Sequence, residues 1–547
     1  MRGLRSVSIT GLLLLAVAGC SGEAQGPVDA GQVDAGGPDS GVAVDAGASA
    51  DSGLATDAGD AGATPDAGDA GTTADAGDAG LAPDGGSAPP AGRPARGGTF
   101  FGDPERFNRY YTDPSYQPSS TIYVSPTGAG AGSLADPASP DDAFAAVVAG
   151  QAIHFLAGDY AGCWALSEGR GGTYDAPIVV QAARNPDGSR AVRIQCCDAG
   201  RRTCFNLEGA DYVAVEGFEL EGGRYGIRAV GLGYGGGEHQ VGVAMLDNLA
   251  FDQDNDPFFT GQSDWIALEG NTGHGAGAGD GHGIYLSNGS DWMVVRNNEL
   301  FDNVSSDFQI NADPASTCAD VSIAYDDPRC DGSARDGLGQ GVSEFVLVEG
   351  NYFHAGAGQG PNFTSVRNSV VRNNIIGPHA RHGTSFWQET DNPRLGSSDN
   401  VVHHNLFIGE QANRHVLQFT QYSDRNDVRN NLVLGLSYGG GAPTANAAVV
   451  LVELDNGTTS ANVFVGNYYS GGYFDGHTPT RAEHVDASFD PGWFSAFPAD
   501  RMGSPAGFVP AAGAPFLDAA PRTAEVPEDR VGTPRGDPAD IGPFEVP

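Results

Sequence analysis

The chain has 547 residues and no Lys: its 29 basic residues are all Arg, against 69 Asp and Glu, for a formal net charge of -40. This composition excludes coiled coils and helical bundles, which need Ala/Glu/Lys/Leu-rich periodic stretches, and a general nucleic-acid binder, whose phosphate affinity comes from Lys and Arg clusters. It also excludes every mechanism built on a catalytic lysine.

Arg2 and Arg5 precede an apolar run from Leu12 to Val17, followed by Ala18, Gly19 and Cys20. The run is too short to span a bilayer. It has the basic, apolar and small-residue regions of a secretory signal. Val17-Ala18-Gly19-Cys20 resembles the lipobox of bacterial lipoproteins. That resemblance implies removal of residues 1–19, lipidation of Cys20, and a place at the bacterial outer membrane or cell surface, with the lipid anchor as the only membrane contact.

Residues 20–97 then form a linker in which Asp-Ala-Gly recurs, as at Asp57–Gly59 and Asp75–Gly77. Residues 21–97 carry 13 acidic residues and two Arg. Large apolar side chains are nearly absent, so nothing offsets the entropy of ordering the segment. It reads as a disordered tether with a span of about 50 Å r.m.s.. The remaining segment, 98–547, reads as one domain.

Within that domain Thr121–Val124 predicts a strand. Ser139-Pro140-Asp141-Asp142 opens a short helix, with Ser as N-cap, Pro at the first position and an acid three residues after the cap. This helix is expected to run through Phe144 and Val148 to Gly150. Ile153–Leu156 predicts the next strand.

Short strands ending at Asn follow. They end at Asn271, Asn298, Asn351, Asn374, Asn405, Asn431 and Asn467, with spacings of 27, 53, 23, 31, 26 and 36. A period in the twenties with short strands indicates a β-solenoid. The spacing of 53 reads as two turns. Asn at one bend of each coil can stack into a hydrogen-bonded ladder. Solenoids grow in one dimension, so some 450 residues fit a single domain.

Three segments carry a resemblance to the right-handed parallel β-helix proteins of the pectin-lyase-like superfamily. They are the strand–helix–strand unit at 121–160, the repeated Val-Val-Arg-Asn-Asn, and the carboxyl end from Asp529 to Glu545. The resemblance implies an all-β, right-handed parallel β-helix with a short amino-terminal capping helix. It is permissive for function, since lyases, hydrolases, epimerases and adhesins share the fold.

Six Cys remain after Cys20, an even count that favours disulfides in an exported chain. Cys318 with Cys330 closes a local loop. Cys196 and Cys197 are adjacent and not expected to pair with each other, which leaves Cys163 and Cys204 as their partners.

Residues 367–429 hold seven Arg, five His and six acids in an otherwise acidic domain. If these side chains share a face, they form a patch suited to sugar carboxylates or sulfates. Arg372 and Arg429 recur in the repeat, as does Arg296, and are expected to serve the coils instead. Two segments open neighbouring strands: Arg381-His382-Gly383-Thr384-Ser385-Phe386-Trp387, and Arg414-His415-Val416-Leu417-Gln418-Phe419. Alternation then puts Ser385, Trp387 and Gln418 outside, with Trp387 exposed for stacking on a sugar. The strands at His282–Ser287 and Asp307–Asp313 likewise present Tyr285, Gln309 and Asn311.

A lyase needs a base and a positive group beside the enolate. Arg381, His382, Arg414 and His282 are the catalytic candidates. Trp387, Gln418, Tyr285, Gln309, Asn311 and His415 are the substrate-binding ones. Asp252, Asp254 and Asp256, spaced two apart, are candidate calcium ligands on a loop, and lyases of the resembling superfamily often use calcium. The expected partner is a polysaccharide, anionic if the Arg patch forms, and the chain is expected to be monomeric. β-Elimination leads. A non-catalytic adhesin-like surface protein and a hydrolase of polygalacturonase type are the alternatives, and the hydrolase would need two carboxylates flanking the bond.

Overall fold

The computed structural model describes residues 104–547 apart from 198–202, 233–238, 278–280, 314–340, 390–391, 410–414, 436–447 and the short stretches 455–456, 459–460, 472, 487–488 and 499–502. The signal segment, Cys20, the linker, Cys318, Cys330 and Arg414 lie outside the described residues.

Among the described residues three long parallel sheets, of 12, 11 and 12 strands, form the walls of the domain. Each coil visits all three. Ala267–Glu269 belongs to the first sheet, Thr272–His274 to the third and Ile284–Ser287 to the second. The next coil repeats the order one strand higher, in register: Leu268 pairs with Val295, Gly273 with Leu300, and Tyr285 with Gln309. Parallel strands joined by such crossovers wind right-handed. The domain is a right-handed parallel β-helix.

Alternation along each strand sends every second side chain inward. Like residues therefore stack along the axis. Phe363, Phe386 and Phe419 form one internal column, with ring centroids 4.6 and 5.0 Å apart.

The helix Pro140–Ala146 plugs the amino-terminal end of this core. The Ser139 hydroxyl accepts the Asp142 N–H at 3.1 Å, as its spacing predicts. Phe144 stacks on Trp164 and Phe205. The helix is shorter than expected because Val147 leaves the helical region (φ -60°, ψ 140°). That step buries Val147 and puts Val148 in solvent. Cys163 pairs with Cys197 and Cys196 with Cys204 beside this cap, so the adjacent cysteines each take a distant partner.

The Asn ladder is continuous. Each Asn side-chain amide donates to the side-chain oxygen of the next, from Asn248 through Asn271, Asn298, Asn351, Asn374, Asn405 and Asn431 to Asn467, at 2.9–3.1 Å. The same oxygen accepts the backbone N–H of the preceding ladder Asn. The residue before each ladder Asn is left-handed: Asp247 (φ 55°), Asn297 (53°), Asn373 (57°), His404 (54°) and Asn430 (55°), with Gly at 270, 350 and 466. Gly, Asn and Asp accept that conformation most readily, which explains why the repeat reads Asn-Asn or Gly-Asn. At Gly350 there is a second reason: an added Cβ would meet the Asn297 side-chain oxygen at 2.4 Å.

The ladder also corrects one spacing. Asn298 bonds directly to Asn351, and Met293–Arg296 pairs directly with Val346–Glu349. The 53-residue interval is a single coil with a long connection, not two turns. A second ladder, Asn400–Asn426–Asn462, lies at the bend that leads into the first sheet.

Both ends of the described chain fold back on the outside of the β-helix. Phe107, Tyr110, Tyr111 and Tyr116 pack on the first sheet, where Ala152, Ala214, Ala244 and Ala267 leave room for the rings. Phe494, Phe508, Phe516, Ile541 and Phe544 cover Ile375, Leu406 and Leu432 on the third. Arg535 of the carboxyl-terminal motif bonds the Asn373 side chain at 2.8 Å. Neither cluster includes a strand residue of the second sheet.

Candidate functional site

The outer face of the second sheet gathers most of the polar residues singled out by sequence. Five consecutive strands build it: Ile284–Ser287, Phe308–Asn311, Asn362–Thr364, Thr384–Trp387 and His415–Phe419. Core residues Phe308, Phe363, Phe386 and Leu417 point inward. The alternate positions form an outward column in register: Tyr285, Gln309, Asn362, Ser385 and Gln418. Two residues on, Asn311, Thr364 and Trp387 form a second column. Gln309, Asn311, Tyr285, Trp387 and Gln418 therefore share one face, as alternation requires.

Asn362 and Thr364 complete this face and were missed in the sequence. Their signal was the polar–apolar–polar run Asn362-Phe363-Thr364, which matches Gln309-Ile310-Asn311.

The face is a closely bonded strip. Asn362 donates its amide N–H to the Gln309 side-chain oxygen at 2.9 Å, and the Trp387 indole N–H donates to Asn362 at 2.5 Å. The Ser385 hydroxyl lies 2.9 Å from His415 Nε2 and 3.2 Å from the Gln418 side-chain oxygen. His415 stacks on His382, with centroids 5.4 Å apart. Two exposures differ from expectation. Trp387 is only 6% exposed and Tyr285 5%. The indole is held by Asn362, and the phenol is enclosed by Tyr225, Val230 and Phe259.

The catalytic candidates fare unevenly. Arg381 is exposed and His382 half-buried at the edge where the strands begin. His282 occupies the same edge but is sealed, with 1% exposure. Its ring Nδ1 accepts the Ser306 backbone N–H at 3.1 Å, and its backbone N–H donates to the Asp256 carboxylate at 2.8 Å. It is a bend residue locked to neighbouring coils, which rules it out as a proton carrier for substrate.

Burial pushes the His282 imidazole down to about 3. In the unfolded chain a His titrates near 6.5, so the unfolded state takes up the proton first. The stability this ring contributes is whole above pH ~6.5. It declines by about 1.4 kcal/mol per pH unit below that, down to ~3. His282→Gln should flatten this part of the stability profile in urea titrations run across that range. An unaltered slope would contradict a neutral, buried ring.

The described Arg of the patch do not gather on one face. Arg372 pairs with Glu349, Arg429 with Asp427 and Arg425 with Asp399. Arg367 bonds the Gly396 carbonyl. Arg372 and Arg429 lie on the first sheet and Arg425 at the bend before it. The carboxylate trio does not converge either. Asp252 and Asp254 are exposed, whereas Asp256 is buried and turned to the His282 N–H. Asp252 follows its strand in a left-handed bend (φ 58°), which breaks the alternation that would align the three. Among the described residues no three His, Cys, Asp or Glu gather as a metal site.

No family model matches the chain, and no curated protein matches it. Similar solved structures include a pectate lyase, 15% identical with a TM-score of 0.45, covering 79% of this chain and 98% of that one. A rhamnogalacturonan lyase is 13% identical (TM-score 0.43; 74% of this chain, 97% of that one). The A-module of an Azotobacter vinelandii mannuronan C-5 epimerase, AlgE4, is 15% identical (TM-score 0.41; 64% and 93%). At these identities the likeness is one of fold.

Proposed function

We propose that the chain is a carbohydrate-active protein that binds a polysaccharide along the outer face of the second sheet. The observation that carries this reading is the unbroken outward column Tyr285–Gln309–Asn362–Ser385–Gln418. Strands stack about 4.8 Å apart, so the column offers a hydroxyl, amide or aromatic group at each step along the axis. Amides and hydroxyls both donate and accept hydrogen bonds, which suits a polymer of hydroxyl groups. The lipobox-like segment and the tether support display of this face at a bacterial surface.

Affinity electrophoresis of the full chain against a panel of soluble polysaccharides tests the reading. At least one should retard it. Gln418→Ala should weaken that retardation by up to about tenfold, the equivalent of one hydrogen bond, while the chain keeps its β-sheet circular-dichroism spectrum at the assay temperature. Failure to bind any polymer, or full binding by a doubly truncated Gln309→Ala/Gln418→Ala chain, would overturn it.

A second reading, cleavage by β-elimination, rests on Arg381 and His382, which lie side by side at the edge of this face. It requires absorbance from unsaturated uronate products, lost in Arg381→Ala. New reducing ends without that absorbance indicate hydrolysis, and binding with neither indicates a non-catalytic surface protein.

A further inference from the structure

We infer that the glycan taken by this face is uncharged. The inference rests on the polysaccharide reading above and names its substrate class. Between Tyr285 and Gln418 the outward positions of five consecutive strands carry phenol, amide, hydroxyl and indole groups, and no ionised side chain. Arg381 is exposed at the edge of the strip, ahead of Thr384–Trp387, and is not one of its outward positions. Arg372, Arg425 and Arg429 are each matched to an acid on another face or bend. Arg228, lower on the same sheet, is bonded to Glu208 at 2.9 Å. Two acids bond side chains beside the strip itself. Glu389 lies 3.5 Å from the Asn311 amide, and Glu453 bonds Thr420.

Depth sharpens the argument. Gln309, Asn362, Ser385 and Gln418 are 2–8% exposed. A carboxylate brought to that depth without a paired cation loses its hydration at a cost of several kcal/mol. A sugar hydroxyl instead exchanges hydrogen bonds with groups that already bond one another, at little net cost. At longer range, segment 98–547 carries 56 acids and 25 Arg, a field that repels a polyanion before contact. On a glycan without uronic acid, β-elimination has no carboxylate to begin from.

Two sets of polymers separate the outcomes: arabinoxylan, glucomannan and galactan as neutral probes, and polygalacturonate and alginate as anionic ones. Binding to the full chain is measured at about 50 mM and about 500 mM salt, a range over which charge interactions are screened. The expected result is retention of at least one neutral polymer with an affinity that changes less than about twofold between the two salts. A uronate polymer as the tightest ligand, with affinity falling as salt rises, would overturn the uncharged class while leaving polysaccharide binding intact. No binding to either set overturns both.

Discussion

Truncation of Phe386 to Ala is expected to lower the unfolding free energy by about 3–5 kcal/mol, the usual cost of emptying a large aromatic site in a core. The ring is fully buried and lies between Phe363 and Phe419 in the axial column. Neither neighbour can collapse into the space without leaving its own coil. Because each coil of a solenoid contacts only its neighbours, the damage should be local. Urea unfolding should show a lowered midpoint with a split or broadened transition. A loss below about 1 kcal/mol would mean that the column is not packed as described.

The second large effect is at Asn351. Its oxygen accepts from the Asn298 backbone and side chain, and its amide donates to Val295 and Asn374. Asn351→Ala removes all four bonds at once in a buried site. Unpaired buried groups cost about 1–3 kcal/mol each, and linked bonds weaken together. The expected loss is about 3 kcal/mol or more, comparable with the Phe truncation although far fewer atoms are removed. Asn351→Asp should do no better, since it keeps the acceptor but adds a buried charge. Parallel denaturation of the two variants checks this, and a near-wild-type midpoint for either would contradict the ladder.

The ladder was legible in the sequence because two constraints coincide at each bend. A side chain must bond the coils above and below, and the residue before it must be left-handed. Few residue types meet either demand, so the pair leaves a visible signature. The outward positions Gln309, Asn311, Tyr285, Trp387 and Gln418 were legible through alternation. Their burial was not, because alternation fixes the face of a side chain and says nothing of what closes over it. His282 was chosen for the chemistry of its ring, and residue type says nothing of the burial that takes it out of reach.

The Arg cluster shows a different limit. Residues 367–429 wind through more than two coils, so side chains close in sequence are spread over all three faces. In a solenoid the residues that meet are one coil apart, as with Ser385 and Gln418, which are adjacent in the sheet. Asp252, Asp254 and Asp256 were read as a loop trio, and the bend between them divides it.

The coil that holds 53 residues between Asn298 and Asn351 has a broader consequence. The rungs above and below it are joined as closely as any others, so the axial repeat takes no account of how much chain lies between them. Loop length is thus uncoupled from pitch. Segments of quite different size can be inserted or exchanged at the border of the second sheet while the scaffold beneath keeps its rise, its hydrogen bonds and its core. Such a protein can acquire new recognition elements beside a fixed floor without refolding the rest of the molecule, and variation among its descendants is expected to concentrate at that border.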